Sequence, residues 1–305
     1  MKKPAANLGA SVRQRLLNLA KARGEDFDLM LTRFALERLI YRLSRSEYAD
    51  RFTLKGAMLV AVWIPDAFRA TRDLDLLGRG DASPAFAELV FRSLCRMPVE
   101  ADGVEFDEGS VRAELIREDQ RYGGTRVKLQ ARIASAVLGL QVDVGYGDAV
   151  VPPPAGIEYP SLLGFAAPHV TAYSRYTVVA EKLQATVELG LTNSRLKDFF
   201  DLFTLSARFG FDGLQLVGAI AATFARRGAA IPPGPPDALS ARFGDAPDKL
   251  AQWNGFLRRA RVRVPVPPFP SVVEAVARFA LEPLDAARLG KDFDRRWPAG
   301  GPWRF

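Results

Sequence analysis

The sequence has one cysteine, Cys95, and one histidine, His169. A single cysteine excludes an internal disulfide and any cysteine-rich zinc site. A single imidazole removes a Ser-His-Asp triad and a multi-histidine metal centre, because each needs an imidazole placed beside specific partners. No apolar run approaches the roughly 20 residues that cross a bilayer. The basic start, MKKPAANLGASVRQRLLNLAKARG, lacks the apolar segment of a signal peptide. The expectation is a cytoplasmic protein with no membrane contact, whose chemistry rests on carboxylates, lysines, arginines and backbone groups.

What is present fits a globular protein: 305 residues, 48% hydrophobic and 25% charged. That length is long for one compact core and comfortable for two, so two domains are expected, 1–165 and 166–305. The formal net charge of +7 favours a polyanionic partner, since lysines and arginines displace counterions from phosphates. Solubility alone explains such a charge equally well.

The pattern along the chain separates two kinds of structure. Two helices are expected between residues 10 and 45, the second with Phe27, Met30, Leu31, Phe34, Leu39 and Leu43 at helical spacing and Arg33, Glu37 and Arg38 as its polar face. FTL reads as a short strand, KGAMLVAVWI as an apolar helix opening at Gly56 and stopped by Pro65, and RDLDLLG as a strand of period two. A helix from Pro84 to Met97 follows, then strands in GVEFD, VRAELI, TRVKLQARI and GLQVDVGYGD. VVPPPAGIEYPSLLGFAAP reads as a surface linker. From about Tyr173 the chain reads as helical, with candidates at 174–190, 195–208, 213–228, 247–260 and 271–281. The fold class is therefore α+β: a mixed β-sheet domain with N-terminal helices, then an all-α C-terminal domain.

RDLDLLG puts Asp73 and Asp75 on one strand face, about 6 to 7 Å apart, with Leu74 and Leu76 on the other. Two like charges in a half-buried strand are costly unless something positive lies between them. Magnesium answers that need, because it takes hard oxygen ligands and bridges carboxylates to phosphates. Asp143 lies in a similar setting, flanked by Val142 and Val144, and three carboxylates converge if the two strands are neighbours. Upstream, the helix N-terminus at Gly56 and Ala57 offers N–H groups and positive dipole to a phosphate. An isolated D-x-D equally marks an edge strand or loop.

Two more charged residues stand out. In YTVVAEKLQATVELG, Glu181, Gln184 and Glu188 define a solvent face, and Lys182 projects away from it. It is either an anion-binding lysine or a snorkelling one. Asp198, in NSRLKDFFDL, follows a plausible Asn193 or Ser194 cap and turns toward Leu202 and Leu205; it is either functional or a first-turn acid favoured by the helix dipole. Asp201 reads as solvated, sharing a face with Lys197, Thr204 and Arg208.

In this order, FTLKGAMLV, RATRDLDLLG, LQVDVGYGD, VVAEKLQA and NSRLKDFFDL resemble the AbiEii/AbiGii family of nucleotidyltransferase-like toxins, related to the mycobacterial MenT toxins. The resemblance covers about Ser11 to Leu202 and leaves the role of the last third open. It implies a nucleotidyltransferase-like fold in which Asp73 and Asp75 hold Mg2+ and the triphosphate of the NTP, and Asp143 is the third acid, completing the metal site or accepting the proton of the attacking hydroxyl. Lys182 would touch the triphosphate, Asp198 would orient Lys182 or contact the nucleotide, and Lys55, Gly56, Ala57 and Arg69 would line the nucleotide site. Where the family pattern has Gly-Ser or Gly-Gly, this chain has Gly56-Ala57, which keeps the N–H and loses a hydroxyl.

The implied activity is transfer of a nucleotide from an NTP to RNA, with transfer RNA as the expected acceptor, by a toxin held in check by a cognate antitoxin. Two alternatives stand beside it. One is a nucleotidyltransferase with a small acceptor, as in antibiotic modification; the other is a nucleotide- or partner-binding module without transfer activity.

Overall fold

The computed structural model describes residues 5–64, 72–116, 123–260, 262 and 264–305. The described chain forms two compact units. The first comprises the chain up to Trp63, Ala70–Gly147 and Ala155–Ala172; the second includes Asp148–Pro154 and Tyr173–Phe305.

In the first unit, α1 (Ala5–Arg23) and α2 (Phe27–Arg45) precede β1 (Phe52–Lys55) and α3 (Gly56–Trp63), which follow one another without a break. Then come β2 (Asp73–Gly78), α4 (Pro84–Arg96), β3 (Glu105–Ile116), β4 (Gly124–Ile133), β5 (Ala136–Tyr146), β6 (Ala155–Glu158) and β7 (His169–Ala172). They make one mixed seven-stranded sheet of order β3-β4-β5-β2-β1-β7-β6. β2 pairs antiparallel with β1 and parallel with β5, so it sits in the middle of the sheet. Its Leu74 and Leu76 are buried together with Val142 and Val144 of β5 and Val127 and Leu129 of β4. Polar residues alternate with them on the other face of the sheet.

Three expectations about this unit change. GVEFD and VRAELI belong to one strand, β3, interrupted only by an irregular register between Asp107 and Arg112. The proline-rich stretch after Val150 supplies β6, which pairs antiparallel with β7 at the sheet edge, where prolines flanking a strand remove no ladder bond. The expected polar face of α2, Arg33, Glu37 and Arg38, is buried, and so is Arg42 one turn on from Arg38. Asp102 accounts for the last two, accepting from Arg38 Nε at 3.0 Å and from Arg42 Nη1 at 2.7 Å. Glu37 accepts from the Leu162 N–H at 2.8 Å and from Ser161 Oγ at 3.1 Å. Burial pushes the Glu37 carboxyl above its usual range, against the pull of the Leu162 N–H and Arg38. Helical periodicity marks a polar stripe but not the partners that let it be buried.

The second unit contains α5 (Arg175–Leu189), α6 (Leu196–Arg208), β8 (Phe211–Asp212), α7 (Gly213–Arg226), α8 (Ala241–Gly244), α9 (Pro247–Ala260), α10 (Phe269–Leu289) and β9 (Arg296–Trp297). It is helical apart from the two-stranded ribbon of β8 and β9. α10 outruns its expected end at 281 and passes through Pro283, which is buried beside Ala280 and Leu284. Packing of that face outweighs the lost hydrogen bond. Among the described residues no helix is long and apolar enough to cross a membrane.

Candidate active site

In the first unit the site is built on the middle of the sheet. Alternation along β2 turns Asp73 and Asp75 to one face, and both are half-buried. β5 lies parallel beside it in a register that pairs Asp75 with Asp143 and Asp73 with Gln141. On the other side, Lys55 of β1 pairs with Asp75. β4 brings Arg126 opposite Asp143, and β3 brings Glu114 opposite Arg126. One row across five strands thus reads Lys55, Asp75, Asp143, Arg126, Glu114, with side chains on a single face.

Gly56 ends that row's first strand and opens α3. Its φ of +71° is in the left-handed region, where glycine carries no penalty. A β-carbon there would lie 2.6 Å from both Cβ and Cγ of Asp75 and closer still to Oδ2. The Asp75 carboxylate therefore occupies the space that any side chain at position 56 would need. Ala57 follows as the second helical residue and is buried.

Asp143 is held tightly. Arg126 donates from Nε to Oδ1 and from Nη2 to Oδ2, each at 2.8 Å, and Gln141 Nε2 approaches Oδ2 at 3.3 Å. The hydrogen bond to Asp143 raises the Arg126 guanidinium's pKa, and the charges of Asp143, Asp73 and Glu114 act in the same direction. Glu114 is itself paired with Lys128 at 2.7 Å. Periodicity did not mark Arg126, because its importance depends on which strand lies next to β5.

The second unit holds the other charged group. Lys182 of α5 extends its ammonium to Asp198 Oδ1 at 2.6 Å and to Asp201 Oδ2 at 2.8 Å, both on α6. Arg195 Nε lies 2.8 Å from Asp198 Oδ2. Both carboxylates are buried, at 1% exposure for Asp198 and 0% for Asp201. Burial would raise the Asp198 carboxyl, but the Lys182 and Arg195 charges outweigh it and hold the group below its ordinary range. Before α6, Asn193 Oδ1 accepts from the Arg195 N–H at 2.8 Å, fixing the turn that aims Arg195 at Asp198.

Two expectations in this unit change. Asp201 is not solvated: residues three apart on a helix share a face, so Asp201 follows Asp198 inward to Lys182. The face of Glu181, Gln184 and Glu188 is solvent-facing only in part: Glu188 is exposed and Glu181 half-buried, but Gln184 is not exposed. α7 packs on α5 and its end covers Gln184, which is fully buried and accepts from Arg227. Arg69 lies outside the described residues.

A family model described as nucleotidyl transferase AbiEii toxin, type IV TA system, matches residues 38–277. The chain belongs to this AbiEii nucleotidyltransferase toxin family. The AbiEii match spans both groups of residues, from before β1 to within α10. No curated protein matches the chain. Among solved structures, a candidate nucleotidyltransferase from H. pylori is 12% identical with a TM-score of 0.47, covering 85% of this chain and 96% of its own. JHP933 from Helicobacter pylori is 13% identical with a TM-score of 0.45, covering 84% of this chain and 90% of its own.

Whether this AbiEii chain suits magnesium depends on its donors. Among the described residues no group of three or more carboxylates, histidines and cysteines is gathered for a metal. Asp143, the third acid of the row, has both oxygens on Arg126. Asp73 and Asp75 present two hard-oxygen side chains on one face, with Asp75 set into the cradle at Gly56. Magnesium is commonly held by one or two carboxylates plus substrate phosphates, so this pair fits it.

Proposed function

We propose that this AbiEii-family nucleotidyltransferase is magnesium-dependent and transfers a nucleoside monophosphate from an NTP to RNA, with the 3′ end of transfer RNA as acceptor. Blocking that end would stop its charging and hence translation, and a cognate antitoxin would restrain the toxin in the cell. The observation that carries the reading is the register that sets Asp75 beside Asp143, with Asp73 on the same face and Gly56 cradling Asp75.

Asp73 and Asp75 would hold the metal, with Asp143 as the third acid. Bound there, magnesium would neutralise charge on the triphosphate as pyrophosphate leaves. The backbone N–H groups at Gly56 and Ala57 would receive a phosphate at the start of α3, and Lys55, paired with Asp75, would add positive charge beside it. Lys182 is assigned to the triphosphate, Asp198 to holding Lys182 in place, and Arg69 to the nucleotide. In the reaction, the acceptor hydroxyl oxygen bonds to the α-phosphorus and the bond to pyrophosphate breaks. The hydroxyl proton passes to a carboxylate of the acid face. The chain's net charge of +7 suits an RNA acceptor.

The deciding experiment incubates the protein with α-labelled NTPs, magnesium and total RNA. Label should appear in RNA of transfer-RNA size, and Asp75→Asn should abolish it. Label in a small molecule with none in RNA would overturn the acceptor, and no label anywhere would overturn transfer itself.

A further inference from the structure

We propose that Arg126 is a resident counter-cation of the acid face: it occupies Asp143 until a divalent cation takes that carboxylate, so loading the cation and breaking the Arg126–Asp143 pair are one event. The inference rests on the reading that Asp73, Asp75 and Asp143 serve a metal. It concerns how that site is kept when no metal is there.

The sheet makes the need plain. Asp75 and Asp143 are direct neighbours on strands about 4.8 Å apart, and Asp73 lies two residues along on the same face. Asp73, Asp75 and Asp143 are therefore flanked by Lys55 on one side and Arg126 on the other. Like charges directly opposite each other destabilise a strand pair. Something positive must stand among them, and only two kinds of charge suit the position: a basic side chain from the next strand or a metal ion.

Arg126 is built for the first role. Its planar fork meets both oxygens of Asp143 in the bidentate arrangement, at 2.8 Å each, and a lysine could not reproduce it. It is also able to leave. The side chain is 34% exposed, so a released guanidinium can be solvated. A lone surface pair of this kind would be worth little. This one is different because its carboxylate is the neighbour of Asp75, so what Arg126 gives up a cation can take over. Displacing Arg126 therefore adds the Asp143 carboxylate to the donors the metal can reach on this face.

The test measures Mn2+ binding to the full chain without nucleotide, by titration calorimetry and by the electron paramagnetic resonance of free Mn2+. Arg126→Gln should bind Mn2+ about tenfold more tightly than wild type, the low end for a charge-assisted bond discounted for solvent access. Arg126→Lys should fall between the two, and it also reports if the glutamine variant folds poorly by circular dichroism. The gain should vanish when Asp143→Asn is added to Arg126→Gln. Wild type and Arg126→Gln binding Mn2+ equally, through a site that Asp75→Asn abolishes, would overturn the counter-cation role alone. No Mn2+ binding by any of these proteins would overturn the metal reading beneath it.

Discussion

Replacing Gly56 with alanine tests the geometry at its tightest point. Two costs follow from the structure. At φ +71° an L-residue pays about 1–2 kcal/mol for the left-handed conformation. The new methyl would also stand 2.6 Å from Asp75 Cβ and Cγ; a new rotamer moves Cγ but not Cβ, so the backbone must shift as well, at a cost of about 1–3 kcal/mol. Alanine's smaller unfolded-state entropy offsets about 0.4–1 kcal/mol. The net loss is therefore about 1–5 kcal/mol, which lowers the melting temperature of a chain this size by several degrees or more. The functional loss should be far larger than the stability loss, because a 1 Å displacement of a positioned group can cost on the order of a hundredfold in rate. Thermal unfolding by circular dichroism and the labelled-NTP assay read the two effects separately. Adding Asp75→Gly should reduce the stability cost of Gly56→Ala, since the atoms in conflict are gone. If Gly56→Ala melts like wild type and transfers nucleotide at the wild-type rate, Asp75 does not lodge against Gly56 and the cradle does not exist.

Three other outcomes follow from the buried charges. Lys182→Ala leaves Asp198 and Asp201 facing each other in the protein interior, so it should cost about 3–5 kcal/mol in urea unfolding, and adding Asp201→Asn should restore part of it. The depressed Asp198 carboxyl contributes stability that is present above its unfolded value and lost as pH falls through the lower folded value. The urea midpoint should therefore drop more between pH 5 and pH 3, a window of about two units, in wild type than in Asp198→Asn, and equal drops would refute the assignment. Burial pushes the Cys95 thiol up to about 11, so iodoacetamide should label it slowly near neutral pH and progressively faster as pH rises toward that value; fast labelling at neutral pH would show a different environment.

What could be read in advance, and what could not, divides along physical lines. Alternation in RDLDLLG and LQVDVGYGD put the three aspartates on faces opposite buried valines and leucines, because a strand's own period fixes which side each residue takes. Helix existence along the second unit was equally legible, since long apolar periodicity survives most contexts. The failures share a cause: each concerned a partner supplied by another element. Arg38 and Arg42 of α2 are buried because Asp102 arrives from the loop after α4, and Gln184 is buried because α7 covers it. The misreading of Asp201 differs in kind, since Asp198 and Asp201 are three apart and their shared face was available from spacing alone.

Arg126 is the instructive case, because its partnership with Asp143 was within reach of the sequence. TRVKLQARI and AVLGLQVDV are alternating runs separated by only Ala134 and Ser135, and Ile133 pairs with Ala136 across that turn. A two-residue hairpin fixes the register of everything beyond it. Each step back from Ile133 matches one step on from Ala136, and seven such steps set Arg126 opposite Asp143. The turn carries no sequence signature, because tight hairpins of this kind favour Asn-Gly or Gly at positions of positive φ, whereas here Ala134 takes φ 52° without a glycine. The unfavourable turn residue is tolerated because ten cross-strand pairs from Gly124↔Gly145 to Ile133↔Ala136 hold the hairpin. The strands therefore impose the turn, and the same ladder that does so carries the guanidinium to the acid beside Asp75.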